Sequence, residues 1–282
     1  MRRVVGLWAV AALVVGASGL GLAHTAGAGL ASPTAPILKV QKVVTGTSAS
    51  GFTVMVDCTQ TGMAAQPVVD LDATLTFNAD GTPNTAVSLV SWENNAGAWK
   101  LQNSSLSSAA CTVSETGTGG ATSVSYACAY APGGLSGPGG NPAGLGCPGL
   151  ASGPSSTPAV VTYAHFCSTD DTPCSEDSTA LVTVTNTFPV ITAITQDANS
   201  VLVTGSGFPA NTDATVDIQS TPLVLGTLTA DANGAFSKTF AIPCSVGSGS
   251  HTVTATAATG QTASTGVTLA ACPVVVPIKF TG

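Results

Sequence analysis

The stretch LVTVTNTF at Leu181–Phe188 decides the fold of the first part of the chain. Its apolar residues alternate with threonines, and a period of two places alternate side chains on opposite faces of a β-strand. Val182, Val184 and Asn186 therefore share one face with Phe188. An amide among apolar side chains needs a hydrogen-bond partner, because burying it without one is costly. Asn186 is therefore the first candidate for a functional residue.

Strand patterns of the same kind recur along the chain, and no helical pattern does. The predicted strands are Leu38–Val44, Phe52–Cys58, Ala73–Phe77, Cys111–Glu115, Thr122–Tyr126, Ser200–Phe208, Ala214–Gln219, Ser237–Ile242 and Gly249–Thr256. Short strands at regular spacing, separated by turn residues, are typical of an antiparallel sandwich. We therefore predict an all-β chain with two immunoglobulin-like antiparallel sandwiches in tandem, stapled by disulfides.

The first residues have the pattern of an export signal. Arg2 and Arg3 precede the apolar run Val4–Leu22, and small residues follow with possible cleavage sites. An uncleaved membrane anchor is the alternative, because the run is nearly long enough to span a bilayer. We expect cleavage, and hence a secreted or cell-wall-associated protein.

The composition divides the whole chain into four predicted segments. We expect a signal and short N-terminal segment over 1–31, a first sandwich over 32–188, a second over 189–272 and a tail over 273–282. Residues 132–158 are dense in glycine and proline, so they cannot bury enough apolar surface to order themselves. This segment is predicted to be a surface loop of the first sandwich.

The low charge of the chain excludes several partners. Charged residues make up 7% of it, the formal net charge is −7, and the only arginines are Arg2 and Arg3. Nucleic acids and anionic lipids both require basic patches. We therefore expect no nucleic acid partner, no membrane association after signal cleavage and a monomeric state. An extracellular protein or a glycan remains open as a partner.

Eight cysteines in an exported chain predict a disulfide framework. We predict the pairs Cys58–Cys111, Cys128–Cys147, Cys167–Cys174 and Cys244–Cys272, although the six cysteines of the first half allow other connectivities. Metal binding is the alternative, but the chain has no C-x-x-C pair and no histidine cluster. We expect no metal and no cofactor.

Two weaker signals have ordinary explanations as well as functional ones. Asp170–Asp171 and Glu176–Asp177 could hold calcium, but a solvated acidic loop fits better because EF-hand spacing is missing. Trp92 and Trp99 could form an exposed aromatic pair for a sugar or protein contact. Packing of both rings in the core, beside a hairpin, is the alternative.

Four pieces of the first half carry a family resemblance. They are KVQKVVTG at Lys39–Gly46, GFTVMVDC at Gly51–Cys58, CTVSETGTGGATSVSYAC at Cys111–Cys128 and LVTVTNTF at Leu181–Phe188. This half resembles a domain of unknown function in actinobacterial surface proteins and is similar to the collagen-adhesin B-type domains of Gram-positive adhesins and pilins. The latter resemblance implies a sandwich in which a buried Glu or Asp promotes a Lys–Asn isopeptide bond. The insert 132–158 and the cysteines depart from the adhesin pattern.

The second half resembles the immunoglobulin-like repeats of exported actinobacterial proteins. The matching residues lie in Val203–Val216, Gly226–Phe240 and Gly249–Ala257. That resemblance implies an all-β spacer or stalk without catalytic residues. A weaker likeness, to the apoproteins that carry enediyne antibiotics, implies small-ligand carriage as an alternative function.

Strand parity identifies candidate reactants for such a bond. Lys42 is in phase with Val40, Glu115 with Val113, and Asn186 with valines of its own strand. If the first and last strands pair, as the resemblance implies, Lys42 would meet Asn186 with Glu115 beneath. Lys39 is out of phase and is a poorer nucleophile.

Burial of these three residues would supply the chemistry. Desolvation lowers the pKa of a lysine and yields a neutral amine nucleophile, while a buried glutamic acid can donate a proton to the asparagine carbonyl. Attack by the amine and loss of ammonia would leave an amide bond. In the alternative, Lys42 extends to solvent at the sandwich edge, Asn186 bonds to backbone, and Glu115 is exposed in a turn.

No enzyme active site is predicted. The chain has no G-x-S-x-G motif, and His165 and His251 lack the surroundings of a catalytic base. The function predicted from the sequence is therefore structural or adhesive, without catalytic turnover.

Overall fold

The computed structural model describes most of the two predicted sandwiches. The described residues are 35–48, 50–60, 71–86, 89, 91–103, 105–106, 109–131, 146–148, 150, 155–163, 179–219 and 222–273. The predicted signal, the Cys167–Cys174 pair and the acidic residues around Cys174 lie outside them. Within the described part, no helix is long and apolar enough to cross a membrane.

The first part of the chain forms two sheets around one core. Its strands are β1 (Ile37–Thr45), β2 (Phe52–Gln60), β3 (Ala73–Phe77), β4 (Trp92–Asn95), β5 (Ala98–Gln102), β6 (Ala109–Gly117), β7 (Ser123–Ala131), β8 (Ala159–Thr162) and β9 (Thr179–Thr187). One sheet has the order β4-β5-β1-β9-β7, and the other has the order β3-β2-β6-β8. The first and last strands are therefore neighbours in the centre of the five-stranded sheet.

The pairing of β1 with β9 is parallel, and it runs from Ile37 opposite Thr179 to Thr45 opposite Thr187. Every other pairing among the described strands is antiparallel. A parallel pair needs a long crossover connection. Here most of the sandwich provides that connection, because β1 begins it and β9 completes it.

Both tryptophans of the first sandwich, Trp92 and Trp99, lie in its hydrophobic core. Trp92 and Trp99 are only 5% and 3% exposed, so the hypothesis of an exposed aromatic pair is wrong. The indole of Trp99 donates a hydrogen bond from Nε1 to the Thr76 carbonyl oxygen at 3.0 Å. Both rings pack with the apolar residues of the two sheets, as core packing beside a hairpin requires.

Disulfides fasten strands in both halves. Cys58 on β2 is bonded to Cys111 on β6, directly across the sheet. Cys128 on β7 is bonded to Cys147, and Cys244 is bonded to Cys272 in the second half.

The second part of the chain builds its own core from two further sheets. Its strands are β10 (Val190–Asp197), β11 (Ser200–Ser206), β12 (Asp213–Ile218), β13 (Leu223–Thr229), β14 (Phe236–Ala241), β15 (Gly249–Ala257) and β16 (Thr262–Leu269). The sheet orders are β10-β11-β14 and β13-β12-β15-β16. Inward residues such as Val203, Val216 and Val253 are fully buried. The described part is thus all-β, with one hydrophobic cluster in each half.

Candidate functional site

Lys42 lies on the inward face of β1. Burial alternates along this strand, so that Leu38, Val40 and Lys42 point inward while Lys39 and Gln41 are half-exposed. Lys42 is 5% exposed as a residue, and its side chain is completely buried. The alternative in which Lys42 extends to solvent is therefore wrong.

Asn186 lies on the neighbouring strand, β9, and is completely buried. Its side chain points inward together with those of Val182 and Val184. The amide nitrogen Nδ2 donates hydrogen bonds to the Thr118 carbonyl oxygen at 2.9 Å and to Glu115 Oε1 at 3.0 Å. The backbone bond to Thr118 is of the kind that the alternative interpretation assigned to Asn186.

Glu115 reaches the same point from the opposite sheet. It lies near the end of β6, and its side chain is completely buried, so it is not exposed in the turn that follows. A register shift precedes the turn, because Glu115 faces Val54 whereas Gly117 faces Thr53. Such bulges re-aim side chains near functional sites.

The three side chains form a Lys–Glu–Asn cluster between the two sheets. Lys42 Nζ donates to Glu115 Oε1 at 2.7 Å and to Asn186 Oδ1 at 2.5 Å. Glu115 Oε1 therefore accepts hydrogen bonds from both nitrogen atoms. Its other oxygen, Oε2, is buried and accepts none from the described residues. The arrangement places the amine in contact with the amide oxygen, and the carboxyl group in contact with both the amine and the amide nitrogen.

Burial sets the electrostatics of the cluster. Desolvation of the ammonium lowers the pKa of Lys42 below its ordinary value of 10.5, and the hydrogen bond and charge of Glu115 oppose this shift without cancelling it. Burial also raises the pKa of Tyr126, whose hydroxyl oxygen accepts the backbone N–H of Glu115 at 2.8 Å. The site thus favours a neutral amine more than water does.

Phe52 and Tyr126 contact the cluster but were not predicted from the sequence. The Phe52 ring centroid lies 4.7 Å from Lys42 Nζ, and the ring also contacts Phe188 at a centroid distance of 6.0 Å. Phe52 is in phase with Val54 on β2, so strand parity could have placed it in the core. Parity alone does not indicate which core residue covers a lysine.

Other candidate residues lie elsewhere. Lys39 Nζ donates to Asn95 Oδ1 at 3.3 Å on the outer face of the five-stranded sheet. In the described ranges, no group of three or more His, Cys, Asp or Glu residues could hold a metal ion.

Comparison with solved structures finds distant likenesses to bacterial surface proteins. No family model and no curated protein matches the chain. It is similar to a tetra-tandem repeat in the extending region of a large adhesion protein, at 15% identity and a TM-score of 0.26, over 83% of this chain and 74% of that chain. It is also similar to the Yersinia pseudotuberculosis adhesin InvE, at 17% identity and a TM-score of 0.22, over 57% and 53% of the two chains.

A third likeness is to a double mutant of the shaft pilin SpaA from Lactobacillus rhamnosus GG. The identity is 10% and the TM-score is 0.20, over 86% of this chain and 100% of that chain. These neighbours are bacterial adhesin and pilin domains, but scores this low carry no argument about function.

Proposed function

We propose that this chain is a secreted or cell-surface structural module, adhesive or spacer-like, whose first sandwich is closed by an isopeptide bond between Lys42 and Asn186. The observation that supports the proposal is the buried Lys–Glu–Asn cluster. The first strand provides the amine, the last strand provides the amide, and the facing sheet provides the carboxyl group.

The reaction balances within the cluster. Neutral Lys42 Nζ attacks Asn186 Cγ, and Glu115 transfers a proton from the attacking nitrogen to Nδ2. The Cγ–Nδ2 bond then breaks and ammonia leaves, so that one amide bond replaces a side-chain amide. Glu115 contacts both nitrogen atoms through Oε1, which suits it to this transfer. After the reaction, the Glu115 carboxyl group has the same protonation state as before it.

The cluster is suited to a single reaction within the chain and not to repeated catalysis on a free substrate. Both reactants belong to the chain, and their side chains are closed off from solvent, so a free substrate could not reach them. Each molecule would react once. We therefore assign the chain a structural role and no enzymatic one.

The disulfide bonds support an extracellular location for this structural role. Disulfides persist in oxidising compartments, and the chain carries them in both sandwiches. The partner class remains an extracellular protein or a glycan. Fractionation of producing cells into medium, wall, membrane and cytoplasm tests the setting, and recovery in the cytoplasm would contradict it.

The mass of the purified, fully reduced chain tests the isopeptide bond. We expect the wild type to be lighter than its mature sequence by one ammonia, and Asn186→Ala to have the mass of its mature sequence. A wild type of unmodified mass would contradict the bond. A mass increased by a bound small molecule, measured on the native protein before reduction, would instead support ligand carriage.

A further inference from the structure

The turn that follows β6 closes over the Lys–Glu–Asn cluster. This β6–β7 turn consists of Thr118–Ala121, and the Ala121 N–H donates to the Thr118 carbonyl oxygen at 3.1 Å. Its two central residues have positive φ, 63° at Gly119 and 83° at Gly120. Positive φ at both positions is typical of a type I′ turn and favours glycine. The turn carries the chain from the four-stranded sheet to the five-stranded one.

One backbone atom of this turn holds the amide that would react. The Thr118 carbonyl oxygen accepts the Asn186 Nδ2–H at 2.9 Å in addition to the turn's own N–H. Just after the turn, the Thr122 N–H donates to the Thr187 carbonyl oxygen at 2.8 Å. The turn is therefore fastened to β9 at two points, through the side chain of Asn186 and through the backbone of Thr187.

A second contact connects the turn to the lysine. A Cβ atom added at Gly119 would lie 2.9 Å from Cε1 of Phe52, so the turn packs against that ring. The same ring covers Lys42 Nζ, with 4.7 Å between the nitrogen and the ring centroid. Phe52 itself is 2% exposed. The Phe52 ring therefore lies between Gly119 of the turn and the amine of Lys42.

We propose that the β6–β7 turn is a positioning element of the crosslinking reaction, in which Thr118 orients the Asn186 amide and Gly119 seats Phe52 over Lys42. This inference rests on the proposed isopeptide bond. Held by the Thr118 carbonyl, Nδ2 faces the turn and Oδ1 faces the amine. The bond therefore forms only after the turn has closed, and ammonia departs on the turn side.

Two glycine variants separate positioning from general backbone strain. Gly119→Ala and Gly120→Ala both place alanine at positive φ, but only the Gly119 variant gains a contact with Phe52. Among the described residues, none except its chain neighbours lies within 4 Å of a Cβ at Gly120. The full chain is synthesised in a cell-free system, quenched in acid at intervals and reduced. The fraction that has lost ammonia is then measured by mass.

We expect Gly119→Ala to lose ammonia about tenfold more slowly than the wild type, since misplaced reactants react far more slowly. Gly120→Ala is expected to react at the wild-type rate. Equal rates for Gly119→Ala and the wild type would overturn the positioning role. Slowing by the same factor in both variants would also overturn it, because strain alone would then explain the effect. A wild type that never loses ammonia would instead contradict the proposed bond.

The pH profile of the rate gives a readout that a purely structural role would not change. A displaced Phe52 ring leaves Lys42 better solvated, so the midpoint of the profile should move to higher pH in Gly119→Ala. If that variant does not fold, Phe52→Leu replaces it, because leucine covers the amine less completely. An unchanged midpoint and rate in Phe52→Leu would refute the seating of the ring.

Discussion

Lys42 and Asn186 lie on adjacent parallel strands, yet they are not register partners. Lys42 faces Val184, and Asn186 faces Val44. The contact between the two side chains is therefore diagonal, over an offset of two residues, and long side chains can span such an offset. The flexible lysine side chain suits this geometry, with its amine placed beside the amide by the facing carboxyl group of Glu115.

Glu115→Gln should abolish the isopeptide bond, because glutamine cannot accept and return the transferred proton. The uncrosslinked variant would also bury Lys42 without its carboxylate, which should lower the free energy of unfolding by about 3 kcal/mol. Glu93→Gln is the matched control, since that glutamate pairs with Lys100 at 2.9 Å at the surface. Mass and urea unfolding measure both effects. Full loss of ammonia in Glu115→Gln would exclude the proton-transfer role.

A crosslinked chain should remain compact after boiling and reduction. The bond between Lys42 and Asn186 closes a covalent ring that reducing agents do not open. We expect the wild type to migrate faster than Asn186→Ala in a denaturing gel. Asn95→Ala should migrate like the wild type, because Asn95 accepts a hydrogen bond from Lys39, which lies outside the Lys–Glu–Asn cluster. Identical mobility of wild type and Asn186→Ala would contradict the ring.

The rate of bond formation should rise with pH. Only the neutral amine attacks, and each increase in pH towards the pKa of Lys42 enlarges the neutral fraction. Because burial lowers that pKa from 10.5, the increase should reach its plateau at a lower pH than for a solvated lysine. Acidification should slow the reaction. A rate that is independent of pH would show that deprotonation of Lys42 is not required.

Removal of the Cys58–Cys111 disulfide should destabilise the first sandwich. The pair closes a loop with a sequence separation of 53, and the chain-entropy model assigns such a loop about 4 kcal/mol. Fluorescence of Trp92 and Trp99 follows this unfolding. The double variant Cys244→Ala/Cys272→Ala is the control and should leave the fluorescence transition unchanged. A shift in the control would contradict the predicted division into two independent domains.

Gly234→Ala should destabilise the second sandwich more than Gly260→Ala. Both glycines have positive φ, at 73° and 94°. A Cβ at Gly234 would also clash with the Phe208 carbonyl oxygen, whereas in the described part of the chain only its sequence neighbours come within 4 Å of one at Gly260. We expect Gly234→Ala to lower the free energy of unfolding by about 3 kcal/mol and Gly260→Ala to lower it by about 1 kcal/mol. Circular dichroism during urea unfolding measures them, and equal losses would refute the clash.

Most of the described strands could be predicted because apolar and polar residues alternate along them with a period of two, but β4, β5, β8, β10, β13 and β16 were not predicted. The same parity placed Lys42, Glu115 and Asn186 on inward faces, and the structure has all three there. The parallel direction of β1 and β9 could not be predicted, since alternation carries no information about direction. It depends on the path of the whole intervening chain.

The contacts that the turn makes with the cluster could not be predicted from the sequence either. The residue pair Gly119–Gly120 indicates a tight turn, but not which side chains it covers. A backbone carbonyl such as that of Thr118 has no sequence signature at all, because every residue carries one. These contacts arise only when the two sheets face each other.

The parallel pairing of β1 and β9 determines how the first sandwich would respond to tension. The chain enters beside Ile37, at one end of the pair, and leaves beyond Thr187, at the other. Stretching it would shear the two strands lengthwise. With Lys42 bonded to Asn186, the force would pass directly from one strand to the other, and residues 43–185 would carry no load. The domain would then keep its folded length until a covalent bond broke.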